Sequence, residues 1–259
     1  MAIVGAGRLG TALARALDAA GSCVEGPLGR DSAPQSEIVL LCVPDGEIAA
    51  AAGRVHGARF VGHVSGATPL DALDRSSGEA FGLHPLQSFA GGEGPGAFRG
   101  VGCAIAGRSP EALSVARGLA ERLGMAPIEI ADAERAAYHA AASVASNFLV
   151  TLQAAAERLA GGAGIAPAEA RALLGPLVLA TVGNWAERGP EAALTGPVAR
   201  GDHATVARQR EAVERHAPDL LDLFDELVAR TAALAGKPAP IAQPSGADAR
   251  GATSMAVVS

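Results

Sequence analysis

The stretch that most limits what this chain can fold into is GAGRLG, residues 5–10. It follows a short apolar run, Ala2 to Gly5, and opens a segment, Thr11 to Ala20, in which Leu13 and Leu17 recur at helical spacing. Strand, glycine turn and helix in that order give each glycine its own task. Gly5 permits the tight turn, Gly7 lets backbone approach a phosphate with no Cβ in the way, and Gly10 lets the helix close on the sheet. Free N–H groups at the helix start attract an anion. With Arg8 and Leu9 between them, these glycines are expected to hold the pyrophosphate of a dinucleotide; a purely structural glycine turn is the alternative. The strand ahead of the turn is shorter than the usual about five or six residues, which suggests that the natural chain begins further upstream.

Further strands are expected at Cys23 to Leu28, Glu37 to Val43, Arg59 to Val64, Ala80 to Leu83, Val101 to Ala106 and Pro127 to Ile130, several of them separated by helical segments. Such alternation implies a mainly parallel sheet covered on both faces, with ligands at the carboxyl ends of its strands. From about Asp132 onward the strand signal is lost. Helices are expected at Asp132 to Leu159, Pro167 to Glu187, Asp202 to Ala217 and Pro218 to Leu234. The fold class is therefore α/β, an N-terminal Rossmann-type doubly wound sheet followed by an all-helical domain. Residues 1–131 form the dinucleotide-binding domain, 132–236 the helical substrate and dimerisation domain, and 237–259, rich in Pro, Gly, Ala and Ser, a flexible tail.

Apolar residues make up 49% of the 259 residues and charged residues 19%, enough to bury ordinary cores without the charge bias of a disordered chain. A net charge of -6 leaves no basic footprint for a phosphate backbone, so nucleic acid is not an expected partner. Cys23, Cys42 and Cys103 show no metal-ligand spacing, and their odd number argues against a disulfide framework. They read as buried core thiols in a reducing compartment. No metal is expected. Met1 leads straight into strand and turn without the pattern of a signal peptide, which points to the cytoplasm. Ala136 to Ala156 has no Asp, Glu, Lys or Arg, yet His139, Ser143, Ser146, Asn147, Thr151 and Gln153 interrupt it. Such groups are costly against lipid, so this reads as a buried helix and not a membrane span.

The residue after the second strand separates the two nicotinamide cofactors, an acid suiting the ribose hydroxyls of NAD and a cation the 2′-phosphate of NADP. Here the chain reads GPLGRDS. Arg30, with Ser32, can clasp a 2′-phosphate through its planar fork, which favours NADP. Asp31 would favour NAD if it, and not Arg30, faced the ribose. Val43 and Pro44 end the next strand where the chain would pass the dinucleotide; a plain Pro turn is the other reading.

Taken together, GAGRLG, the strand ending in VPD, HVSGA, GLHPLQSF, YHAAASVASN and LTGPVARGD resemble one group of Rossmann-like oxidoreductases with a helical C-terminal domain of unknown function. The resemblance runs from about Ile3 to Leu234. The group is similar in architecture to ketopantoate reductase, phosphogluconate dehydrogenase, pyrroline-carboxylate reductase and prephenate dehydrogenase, and some members are linked with ketopantoate reduction in pantothenate synthesis. Several reductases of that superfamily carry a Lys four residues before an Asn on the first helix of the second domain. Asn147 matches the Asn, but Ser143 stands where the Lys would be.

His139, Ser143 and Asn147 follow i, i+4, i+8 spacing, a polar stripe on one face of an apolar helix. Hydride delivery to a carbonyl leaves charge on oxygen and calls for a proton donor and hydrogen-bond donors. His139 and Asn147 suit those roles and Ser143 can bridge them; a self-satisfied buried stripe is the alternative. His84 in GLHPLQSF resembles the His-Pro motif of prephenate dehydrogenases, belongs near the nicotinamide, and has Gln87 and Ser88 beside it to bond a carboxylate; a turn-fixing His is equally open. Ser65 in HVSGA can hold the carboxamide or the substrate, or simply make a Ser-Gly turn. Arg200 in LTGPVARGD is a cation that a carboxylate substrate would seek, or the partner of Asp202, which is placed to cap the next helix.

The expected activity is hydride transfer between NADPH and a small 2-keto or 2-hydroxy acid, ketopantoate being the best-motivated substrate. An imine reductase of the pyrroline-carboxylate type and a non-catalytic dinucleotide-binding regulator are the alternatives. Long uncharged runs such as Ala172 to Ala186 predict a homodimer through the helical domain.

Overall fold

The computed structural model describes residues 1–238. The predicted tail falls outside the described residues beyond position 238. Seven strands form one sheet: β1 (Ala2–Val4), β2 (Glu25–Leu28), β3 (Ile38–Leu41), β4 (Phe60–His63), β5 (Glu79–Pro85), β6 (Gly102–Gly107) and β7 (Ala126–Glu129). Their order is β2-β1-β3-β4-β5-β6-β7, with every neighbouring pair parallel except β5 and β6. All seven overlap the strands expected from the sequence. β5 extends past its expected end, because His84 and Pro85 pair with Ala104 and Cys103 of β6.

Helix α1 (Arg8–Ala19) follows β1, the short α2 (Ile48–Ala52) follows β3, and α3 (Pro110–Arg122) follows β6. β3, IVLL, shows why its residues are apolar without interruption. Leu40 packs with Leu13 and Leu17 of α1 on one side of the sheet, while Val39 and Leu41 pack with Ile48 and Ala52 of α2 on the other. Successive strand residues point to opposite faces, so a sheet covered twice needs apolar residues at both parities.

The chain divides into two compact units, one of Met1–Leu149 and one from Val150 onward. The first unit includes all of α4 (Arg135–Ala145). The second is helical: α5 (Asn147–Gly162) runs into it, and α6 (Pro167–Arg188), α7 (Pro190–Ala193), α8 (Pro197–Arg200), α9 (His203–His216) and α10 (Leu221–Leu234) follow. Within it, Arg210 of α9 grips Asp225 of α10 through Nε and Nη2 at 2.9–3.1 Å, and Asp202 caps α9 by accepting from Thr205 N–H at 3.0 Å, as expected. Among the described residues no helix is long and apolar enough to cross a membrane.

Three expectations need correction. The helix expected from Asp132 to Leu159 is two helices, because Ser146 (φ −116°, ψ −70°) interrupts the regular geometry between α4 and α5. Neither is the buried helix anticipated: Arg135 is the one buried residue of α4, and α5 has none. Of the three cysteines only Cys103 is buried; Cys42 is intermediate and Cys23 exposed, since Cys23 precedes an edge strand instead of lying within it.

Candidate functional site

The glycine turn adopts the form its sequence demands. Gly5 has φ +113°, a region disfavoured for any residue with a Cβ, and a side chain there would overlap the Cys42 carbonyl. A Cβ at Gly10 would overlap the Gly5 carbonyl. Around a Cβ built at Gly7 there is nothing within 4 Å. Gly7 is also the N-cap of α1, which has no side-chain cap and no acid in its first turn, so its leading N–H groups stay available to an anion. Gly5 and Gly10 shape the turn, and Gly7 leaves open space beside it.

Beside that turn lies a cleft of about 490 Å³ lined by Gly7, Arg8, Leu9, Val43, Pro44 and Ser65 among others. It contains most of the predicted cofactor-binding set. The Ser65 hydroxyl is occupied within its own turn, donating to Thr68 Oγ1 at 2.9 Å and accepting from the N–H groups of Ala67 and Thr68 at 3.2 and 3.0 Å. Arg30 and Ser32 sit in the turn after β2, where Ser32 N–H bonds the Gly29 carbonyl at 3.1 Å. Arg30 already has a partner: Nη1 lies 2.7 Å from Glu47 Oε1. Arg54, which sequence reading missed, donates to the Arg30 carbonyl at 3.0 Å and stands 3.4 Å from the Asp31 carboxylate. Asp31 therefore has a cation beside it, as Arg30 has an acid.

A second cavity of about 440 Å³ is lined by His84, Gln87, Ser88, His139, Ser143 and Asn147, together with Leu86, Ala142, Ala145 and Ser146. All the predicted catalytic residues and two of the three predicted substrate ligands converge there, although the break at Ser146 puts Asn147 on a different helix from His139 and Ser143. Arg200, the third, lies in the second unit at the end of α8.

His84 and His139 line both spaces. Their ring centroids are 6.2 Å apart, and a glycine lets them meet: a Cβ at Gly66 would stand 2.8 Å from His84 Cε1 and 2.9 Å from His139 Cδ2. Burial, then the His139 and Arg135 charges, lower the His84 pKa to about 4, so its ring is neutral near pH 7.

The floor of the site is held by Arg135, which no motif pointed to. Its side chain is 5% exposed; Nε bonds Asp132 Oδ1 at 2.7 Å and Nη1 the Ser65 carbonyl at 3.1 Å. Asp132 in turn accepts from Leu70 N–H at 3.1 Å. A Cβ at Gly82 of β5 would overlap the Arg135 guanidinium, so β5 leaves the room that the cation fills. Below this, His63 on β4 is fully buried, and burial above all, then Arg135, lowers its pKa to about 4.

Solved structures share the whole architecture. A Thermotoga maritima protein, 24% identical, aligns with a TM-score of 0.74 over 91% of this chain and 98% of its own. A Bacteroides fragilis protein assigned as an NADP oxidoreductase, 20% identical, gives 0.73 over 89% and 96%. An Aspergillus terreus reductive aminase, solved with NADPH and ethyl-5-oxohexanoate, is 15% identical and gives 0.61 over 90% and 96%. At such identities the likeness shows the fold, a Rossmann-like sheet with a helical C-terminal region. No curated protein matches the chain. One family model does, over residues 101–231, 131 of the 259: the chain belongs to the family described as domain of unknown function DUF2520.

Proposed function

We propose that the protein is an NADP-dependent oxidoreductase acting on a small carbonyl or imine compound. One observation carries the reading: His84 and His139 stand where the glycine-turn cleft and the His-, Ser- and Asn-lined cavity share a wall. A dinucleotide seated on the turn and a substrate in the second cavity would meet at those two rings. The fit is supported by Gly7, open on the ligand side, and by Arg30 in the turn after β2, whose guanidinium suits a 2′-phosphate. Among the structural neighbours, the reductive aminase was solved with NADPH and a Plasmodium falciparum pyrroline carboxylate reductase with NADP.

When bound, NADPH supplies a hydride. The protein's part is to orient the acceptor, keep donors against the atom that gains charge, and exclude water. His139 and Asn147 are assigned to proton donation and orientation, Ser143 to bridging, and Gln87 and Ser88 to substrate polar groups. A 2-keto acid, ketopantoate first, suits this set. A C=N substrate is the second candidate, because no Lys or Arg is among the residues lining the cavity, and a protonated imine arrives with its own charge. The helical segment from 132 to 236 is read as the substrate and dimerisation domain, since His139, Ser143 and Asn147 come from its start. Leu173, Leu177, Leu179, Val182 and Trp185 of α6 are each 40–76% exposed, apolar surface spread round the helix that a second copy of the chain would cover.

The test is oxidation of NADPH by the purified protein against a panel of 2-keto acids, ketopantoate included, and cyclic imines. Tight NADPH binding without turnover of any member would replace the reductase reading with a dinucleotide-binding regulator.

A further inference from the structure

Helix α4 brings a second ring to His84 besides His139. The Tyr138 hydroxyl lies 2.8 Å from His84 Nδ1, and the two rings meet edge to face at 88° with centroids 5.6 Å apart. A Cβ at Gly66 would stand 2.8 Å from His84 Cε1 and 3.0 Å from Nδ1, so backbone closes in along the Nδ1–Cε1 side of the ring. One side of the imidazole is thus closed by a phenol and by backbone. Nε2 is the ring nitrogen that the phenol leaves for the two spaces that His84 lines.

A neutral imidazole carries a single proton, and its place is set by what the other nitrogen meets. Burial, then the neighbouring His139 and Arg135, keep His84 neutral, and burial first of all raises the Tyr138 phenol to about 12, so that the phenol keeps its proton. Were Nδ1 to carry the ring proton, a bare Nε2 lone pair would face the substrate and repel an oxygen gaining negative charge. With the proton on Nε2, the ring becomes a hydrogen-bond donor directed at that oxygen, and the phenol has an acceptor.

We propose that Tyr138 is a positioning residue: its hydroxyl donates to His84 Nδ1, fixes the ring as the Nε2–H tautomer and so aims a hydrogen-bond donor at the reacting group of the substrate. The proposal rests on the reductase reading. It makes His84 the donor that steadies the developing charge and leaves His139 beside it to supply the proton.

Long-range nitrogen-15 NMR of the full chain, with and without NADPH, reads the tautomer directly, His84→Gln identifying the resonances. The wild type is expected to show a protonated Nε2 and a bare Nδ1. In Tyr138→Phe the two tautomers should mix, and turnover should fall about five- to tenfold, the worth of one hydrogen bond, with KM and NADPH affinity changed less than about twofold. An Nδ1–H tautomer in the wild type would overturn the proposal, even if the variant failed to fold. So would an unchanged tautomer in a folded Tyr138→Phe. A tautomer that moves as expected in a protein that reduces nothing supports the positioning role and removes the reductase reading alone.

Discussion

Arg30 and Glu47 form an ion pair at 2.7 Å, so the cation assigned to a 2′-phosphate waits in the company of an acid. Both side chains are well exposed, 60% and 38%, and pairs of that kind are worth about 0–1 kcal/mol. A phosphate making charge-assisted bonds offers about 1.5–3 kcal/mol and would displace the carboxylate. Arg30→Ala should weaken NADPH about tenfold or more while NADH changes little. Glu47→Gln should do the opposite, tightening NADPH about two- to fivefold by removing the competitor. Fluorescence titration with both cofactors checks this; equal shifts for NADH and NADPH would take Arg30 out of phosphate recognition.

Gly66→Ala tests the junction of the two histidines. Its methyl group would stand under 3 Å from His84 Cε1 and His139 Cδ2, and the rings would have to part. A displacement of about 1 Å in a reacting group costs about a hundredfold in rate. Turnover should fall by that order while NADPH affinity, set mainly at the glycine turn, stays within a few-fold. A variant with normal turnover would show that the rings do not act together.

Acid should destabilise the protein before its carboxylates titrate. His63 and His84 are held near pKa 4, below the ordinary 6.5, so between those values the unfolded chain binds protons that the folded chain refuses. Stability is complete above about pH 6.5 and falls as the pH drops towards 4, by about 3 kcal/mol for the fully buried His63. Urea unfolding at pH 7 and at pH 4.5 measures the loss, and His63→Gln should flatten the slope between them. An equal slope in that variant would clear His63.

The exposed apolar side chains of α6 are expected to pair two chains. Light scattering should return twice the chain mass, and Leu177→Asp together with Trp185→Asp should return the single-chain value of 25.7 kDa. A wild-type mass of 25.7 kDa at working concentration would refute the dimer.

Much of this was legible in the sequence because it is local. Most strands announced themselves by a run of apolar residues, the glycines by their spacing after β1, and His139 with Ser143 by one helical turn. What stayed hidden depends on partners far apart in the chain. Glu47 meets Arg30 only because the segments that follow β2 and β3, on either side of β1, reach one another, and Tyr138, seen alone, is an ordinary aromatic in an alanine-rich helix. The break at Ser146 is carried by neither Pro nor Gly, so periodicity runs straight through it. Asn147 nevertheless reached the expected cavity from the next helix. Cys23 read as core because its neighbours are apolar, whereas its position just outside an edge strand decides its exposure.

The guanidinium of Arg135 occupying the space over Gly82 ties two positions into one inherited choice. A larger residue at 82 evicts the cation, which frees the Ser65 carbonyl and strands Asp132. A shorter residue at 135 leaves a hole over β5 that only a larger residue at 82 would refill. Neither position can drift alone; a lineage that altered one would have to alter the other in the same step or pass through a protein whose histidine junction had lost its floor.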